Sequence, residues 1–103
     1  MSVRWTQKAL ADLDSIHQAI AENRPRTAER VIRALLSSGE NLRRHPRQGR
    51  PGRLPQTREL VAPRLPYVIV SALNASLVDI EPEVTVLRVI HGAMRWPSED
   101  PPK

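Results

Sequence analysis

The sequence contains no cysteine and no phenylalanine, and only one tyrosine and two tryptophans among its 103 residues. Without cysteine there can be no disulfide framework and no thiolate metal site. So few aromatics exclude the interleaved stacking platforms of a single-strand nucleic-acid binder. Lysine is nearly missing too, with Lys8 and Lys103 the only examples. The three histidines, His17, His45 and His91, stand far apart without metal-ligand spacing, so neither a metal nor a cofactor is expected. Gly49 and Gly52 serve a turn. Their spacing is not that of a phosphate-binding loop, and no Lys-Ser/Thr pair follows. No apolar run approaches the ~20 residues that span a bilayer. The opening Met1-Ser2-Val3-Arg4-Trp5 has no signal-peptide apolar stretch. A cytoplasmic protein without membrane contact is the expectation.

What is present is arginine. Of the 16 Lys and Arg residues all but the two lysines are arginine, and the formal net charge is +5. The segment from Arg43 to Arg64 holds arginines 43, 44, 47, 50, 53, 58 and 64 against a single acid, Glu59, so the rest of the chain is close to neutral. A localised guanidinium strip points to a polyanionic partner, nucleic acid or an acidic protein surface. Arginine suits planar, bidentate contacts with phosphate or carboxylate. A merely solubilising surface would spread its charge more evenly.

The apolar pattern predicts one domain over residues 1–97 and a disordered, proline-rich tail at 98–103. After an extended start at 2–5, Ala9, Leu13, Ile16 and Ile20 form the stripe of a helix over 6–22, with Leu10 beside it. Asn23-Arg24-Pro25 stops it and starts another: asparagine tolerates a left-handed C-terminal position, Arg24 is pushed from helical geometry by the next residue, and proline suits a first helical position. Ala28, Val31, Ile32, Leu35, Leu36, Gly39 and Leu42 mark a second helix over about 25–44, which must pack on the first as an antiparallel hairpin. A proline- and glycine-rich loop, 45–55, follows. Thr57–Ala62, Pro66–Val70 (extending as far as Leu73) and Val84–Ile90 read as strands. The last is apolar everywhere except at Thr85 and Arg88, as in a strand covered on both faces. Leu77–Ile80 reads as a further short strand or an elaborated turn. The fold class is α+β, with a two-helix hairpin on one face of an antiparallel sheet of about four strands.

Three segments together resemble the RelE/ParE superfamily of bacterial type II toxins. They are Trp5-Thr6 with Ala9 to Ile16; His45-Pro46-Arg47-Gln48-Gly49-Arg50-Pro51-Gly52 running into Thr57-Arg58-Glu59-Leu60-Val61 and Pro66-Tyr67; and Val86 to Pro97, which includes His91-Gly92-Ala93-Met94-Arg95-Trp96. They occur in the family's order over residues 5–97. The resemblance implies a growth-arresting toxin neutralised by a cognate antitoxin, whose acidic or amphipathic segment wraps it. The stretch between Tyr67 and Val84 is several residues longer than is usual in that family.

The superfamily holds two activities, and the resemblance leaves both open. RelE-like members cleave mRNA on the ribosome; ParE-like members bind and inhibit DNA gyrase. For a nuclease, Arg58, Arg88 and Arg95 can supply cations and His91 a base or acid. The second proton-transfer group is missing: Trp96 stands where the nucleases carry tyrosine or a similar group, and an indole N–H only donates. Their loop lysines are absent as well. Both helices are longer than is typical of the nucleases. The balance favours ParE-like action by binding, with Arg47, Arg50, Arg53, Arg58, Arg95 and Trp96 as target or nucleic-acid contacts. An mRNA endoribonuclease is the alternative, and an inactive antitoxin-binding module the second. Each residue also has a plainer reading. His91 can cap a structural hydrogen bond, Trp5, Tyr67 and Trp96 can pack, and Arg88 can pair with Glu59 on the neighbouring strand.

Overall fold

Thr6 closes a first strand, β1 (Ser2–Trp5), and opens the first helix, α1 (Gln7–Ala21). Its hydroxyl accepts the Ala9 N–H at 3.0 Å, an N-cap the apolar stripe alone did not reveal. The computed structural model describes residues 1–74, 82–92 and Trp96. Asn23 does not take the expected left-handed turn; among the described residues the non-glycine residues at positive φ are Gln56 and Arg64. The N–H groups of Asn23 and Arg24 both donate to the Ile20 carbonyl instead, at 3.2 and 2.8 Å. Arg24 leaves helical geometry ahead of Pro25, and α2 (Pro25–Glu40) begins on that proline as its fixed φ favours. A 3-10 turn, Asn41–Arg43, completes the predicted span. The antiparallel hairpin is registered by His17 Nε2 against Glu29 Oε2 at 3.0 Å.

Four further strands follow, β2 (Arg50–Pro51), β3 (Thr57–Val61), β4 (Tyr67–Asn74) and β5 (Glu83–His91), in the spatial order β1-β5-β4-β3-β2. The expected antiparallel strands are β3 to β5; β2 forms inside the predicted loop and pairs antiparallel with β3, and β1 adds a fifth strand that runs parallel to β5, so the sheet is mixed. Nearly the whole chain lies between β1 and β5, so no local turn dictates their relative direction. Two turns share one chemistry. Leu54-Pro55-Gln56-Thr57 and Ala62-Pro63-Arg64-Leu65 each place proline second and a left-handed residue third, at φ 63° and 61°, and each is closed by an N–H to carbonyl bond, of 3.3 and 3.2 Å. The Leu77–Ile80 reading and the 98–103 tail lie outside the described residues.

Ala9, Leu13, Val31, Leu35 and Leu42 of the helical layer pack on Ala62, Ile69, Val84, Val86 and Val89 of the sheet. On the other face Val68, Val70 and Ile90 are buried with Leu87 and Trp96 against them. The near-continuous apolar run of β5 is thus explained by burial on both faces. A bulge makes it possible. Val70 pairs with Arg88 and Ser71 with Val86, which leaves Leu87 as an extra residue and turns both Val86 and Val89 towards the helices.

Candidate target-binding site

Neighbouring residues of a strand point to opposite faces, and this divides the arginine strip. Arg58 shares the helix-side face with Leu60. Glu59 lies on the other face, in one row with Arg50, Val70 and Arg88 across four strands. Its side chain is only 2% exposed. Arg50 Nη2 donates to Oε1 at 3.1 Å and the Arg53 backbone N–H to Oε2 at 3.0 Å, with Arg53 Nε 3.9 Å from Oε1. Burial works against ionisation of Glu59, but the Arg53 N–H, the Arg50 hydrogen bond and the two guanidinium charges outweigh it and hold its pKa below the ordinary 4.5. Arg50 and Arg53 therefore anchor the loop on a buried carboxylate. Gly49 belongs to the same anchor. It sits at φ 104°, with the Glu59 carbonyl oxygen 2.8 Å from where a Cβ would be.

The Arg88–Glu59 pairing is not formed. Arg88 turns round the edge of its strand to Asp12 of α1, with Nε to Oδ2 at 2.7 Å and Nη2 to Oδ1 at 3.1 Å. The reason lies in the topology. β1 covers β5 only as far as Val86, and there the chain turns into α1. The exposed edge beyond needs partners: the Thr6 hydroxyl donates to the Leu87 carbonyl at 3.0 Å, and Asp12 Oδ2 accepts the Val89 N–H at 2.9 Å. Arg88 completes the charge of that carboxylate and stands 5.2 Å from the Trp96 ring centroid. Arg53 Nη1 donates to the Trp96 carbonyl. Trp96 is thus packed against the sheet between two arginines, and its buried Nε1 has no acceptor among the described residues. Arg95 lies outside the described residues.

His91 ends β5 on an exposed position, its ring edge-to-face with Tyr67 at 5.6 Å between centroids. Tyr67 pairs with His91, whereas Arg58 pairs with Ser71, four residues along β4 and two strands away. The two are separated by about 13 Å along the strands and about 10 Å across them. Two members of the candidate nuclease set, His91 and Arg58, are therefore not brought together, and a third, Arg88, is neutralised by Asp12. Among the described residues no three His, Cys, Asp or Glu side chains are grouped to hold a metal ion.

The remaining arginines sort by partner. Arg43 bonds Glu40 at 2.9 Å and the Met1 carbonyl at 3.2 Å. Arg43 foremost, with the Trp5 indole, lowers the Glu40 pKa. Arg64 sits on the β3–β4 turn, away from the rest. Arg47 and Arg58 line one cavity of about 600 Å³ with Pro51, Gln56, Thr57, Leu73 and Asn74. Arg44 and Arg47 line a second concavity with His45, Pro46 and Gln48, joined to the first through Arg47. Arg58 is half-buried and is held by its Nη1 bond to the Gly49 carbonyl at 3.2 Å. Among the described residues no carboxylate lies within ion-pair distance of Arg44, Arg47 or Arg58. The continuous strip of the sequence thus becomes an anchored pair on one face and an open groove on the other. Sequence reasoning did not single out Asp12, Arg44, Gln56 or Asn74. For Asp12 the available signal was the lone Arg88 in an apolar strand, which demands an acid; nothing local says which one.

A two-helix hairpin on a small twisted sheet with a basic connecting loop defines a class of compact bacterial toxins, and the comparisons agree with it. Residues 3–96 match the family model described as the ParE toxin of the type II toxin–antitoxin system parDE. The chain is 36% identical over 95 residues to the Y4kP protein of Sinorhizobium fredii, covering 92% of each. It is 33% identical over 91 residues to Toxin RelE2 of Caulobacter vibrioides, covering 88% of this chain and 94% of that one. Among solved structures, the chromosomal ParDE TA system from P. aeruginosa superposes with a TM-score of 0.77 at 28% identity, over 88% of this chain and 95% of that chain. The protein belongs to the ParE toxin family of type II toxin–antitoxin systems.

Proposed function

We propose that the toxin arrests growth by binding and inhibiting DNA gyrase in the cytoplasm, without catalysis of its own. The observation that carries this reading is the dispersal of the groups a ribonuclease needs. His91 stands against Tyr67 at one end of the sheet, Arg58 lies at the other, and Arg88 is committed to Asp12. Proton transfer requires the acid and base within hydrogen-bond reach of one phosphate, a few ångströms rather than two strand widths. A cognate antitoxin is the regulatory partner that the family implies. Leu10 of α1 and Leu36 of α2, 50% and 38% exposed, sit level on the outer face of the hairpin by the His17–Glu29 register. They offer an amphipathic antitoxin segment an apolar seat.

Brief induction followed by parallel measurement of plasmid supercoiling, DNA breaks and transcript ends tests the target. Altered supercoiling or breaks with intact transcripts is the expected result. Cuts within translated mRNA would replace this reading with ribosome-dependent mRNA cleavage, and normal growth would point to an inactive antitoxin-binding module. His91→Ala is expected to leave toxicity within a few-fold of the parent; loss by orders of magnitude would favour the nuclease.

A further inference from the structure

We infer that the groove lined by Arg44, Arg47 and Arg58 is a phosphodiester track that holds the backbone of a nucleic acid without reading its sequence. Three observations meet there. The first is charge without compensation. Glu59, the sole acid of the arginine segment, points to the opposite face and is occupied by Arg50 and Arg53, so its charge does not quench the groove. The second is preorganisation. The Arg58 guanidinium is half-buried and already fixed by the Gly49 carbonyl, so little side-chain freedom is lost when an anion arrives. The third is the kind of wall. In the cavity shared by Arg47 and Arg58, Gln56, carried on a left-handed backbone, and Asn74 add carboxamide donors, and its apolar lining among the described residues is Pro51 and Leu73. An acidic peptide would need sockets for apolar side chains. Of the exposed large apolar residues among those described, Leu10 and Leu36 lie on the hairpin, Val61 at the far end of β3 and Met1 at the chain start beside Arg43, and none lines the groove. Among the described residues no Phe, Tyr or Trp lines the groove and His45 is its single ring, so contacts to phosphate rather than a run of stacked bases carry the affinity. The inference does not depend on which machine the toxin poisons.

The test is fluorescence anisotropy of the full chain with a labelled duplex of roughly 20 base pairs, titrated from about 50 to about 200 mM salt. The parent should bind with steep salt dependence. Arg47→Gln/Arg58→Gln should weaken binding by at least about tenfold at the low-salt end and flatten the slope of log K against log salt by about two. Arg26→Gln/Arg33→Gln removes the same charge from the outer face of α2 and should leave the slope within about half a unit of the parent's. Arg47→Gln alone makes the test safe against misfolding, because among the described residues Arg47 has no hydrogen bond or ion pair, and it should lower the slope by about one. Equal losses from the two double variants, or no duplex binding by the parent, would overturn the inference. So would displacement of the duplex by poly-glutamate at lower charge concentration than by unlabelled duplex, which would give the groove to an acidic protein segment. The assay contains no gyrase and no ribosome, so its failure leaves the proposed target untouched.

Discussion

Glu59 and Asp12 are two carboxylates with opposite relations to the arginines around them. Glu59 gathers a loop: Arg50 and the Arg53 N–H converge on it from a segment with little core of its own. Its depressed pKa fixes the sign of the pH effect. The stabilisation is complete above the ordinary value of 4.5 and is lost as pH falls through the lower folded value. Glu59→Gln should therefore cost about 1–3 kcal/mol at neutral pH and flatten the acid limb of a urea-midpoint profile below about pH 4.5. An acid limb as steep as the parent's would show that Glu59 does not govern it. Asp12 closes a strand edge. Asp12→Ala leaves both Arg88 and the Val89 N–H without a partner and should cost about 2–4 kcal/mol. Asp12→Asn keeps an acceptor for the N–H and should recover part of that in chemical denaturation. Equal losses for the two variants would mean that the backbone bond contributes nothing.

At the level of elements, α2 is pinned by a contact that its own periodicity does not display. A Cβ on Gly39 would lie 2.3 Å from Trp5 Cζ2, so the C-terminal turn of the helix and the indole of β1 occupy one shared space. The indole Nε1 then donates to Glu40 Oε2 at 3.3 Å. Gly39→Ala, which in an ordinary exposed helix would stabilise, should here destabilise by about 1–3 kcal/mol. The thermal midpoint should fall by about 4–8 °C for each kcal/mol, and a Trp5→Phe background, which removes the clashing atoms, should shrink the loss. A rise in midpoint would show that the ring moves aside freely. Both helices, and the strands from β3 onward, were legible because apolar spacing is a local signal; so was the proline-started α2. The N-cap at Thr6 was also written locally. The direction of β1 was not, since it is set by a partner about 80 residues away.

At the scale of the whole molecule, the described residues separate the exposed Leu10 and Leu36 on the helical hairpin, the proposed antitoxin seat, from a basic groove beyond the end of α2. An antitoxin drawn in by the net charge of +5 should associate more slowly as salt rises, while its dissociation depends on the apolar seat. Leu10→Glu should raise the dissociation rate of the toxin–antitoxin complex at least about tenfold with little change in the association rate. A change confined to association would place the apolar contact elsewhere. Stopped-flow measurements at low and high salt separate the two cases.

By itself the sequence determined the α+β class, the hairpin, the positions of β3, β4 and β5 and the concentration of guanidinium charge, because each depends on residue type and short-range spacing. Only the tertiary structure decided which arginines are spent on structure and which remain open. That choice rests on strand register and pleat: one step along β3 sends Arg58 to the groove and Glu59 to the opposite face, and the early end of β1 leaves an edge that draws Arg88 to Asp12 rather than to Glu59. Charge can be counted along a chain, but its compensation depends on distances of a few ångströms between residues far apart in the sequence.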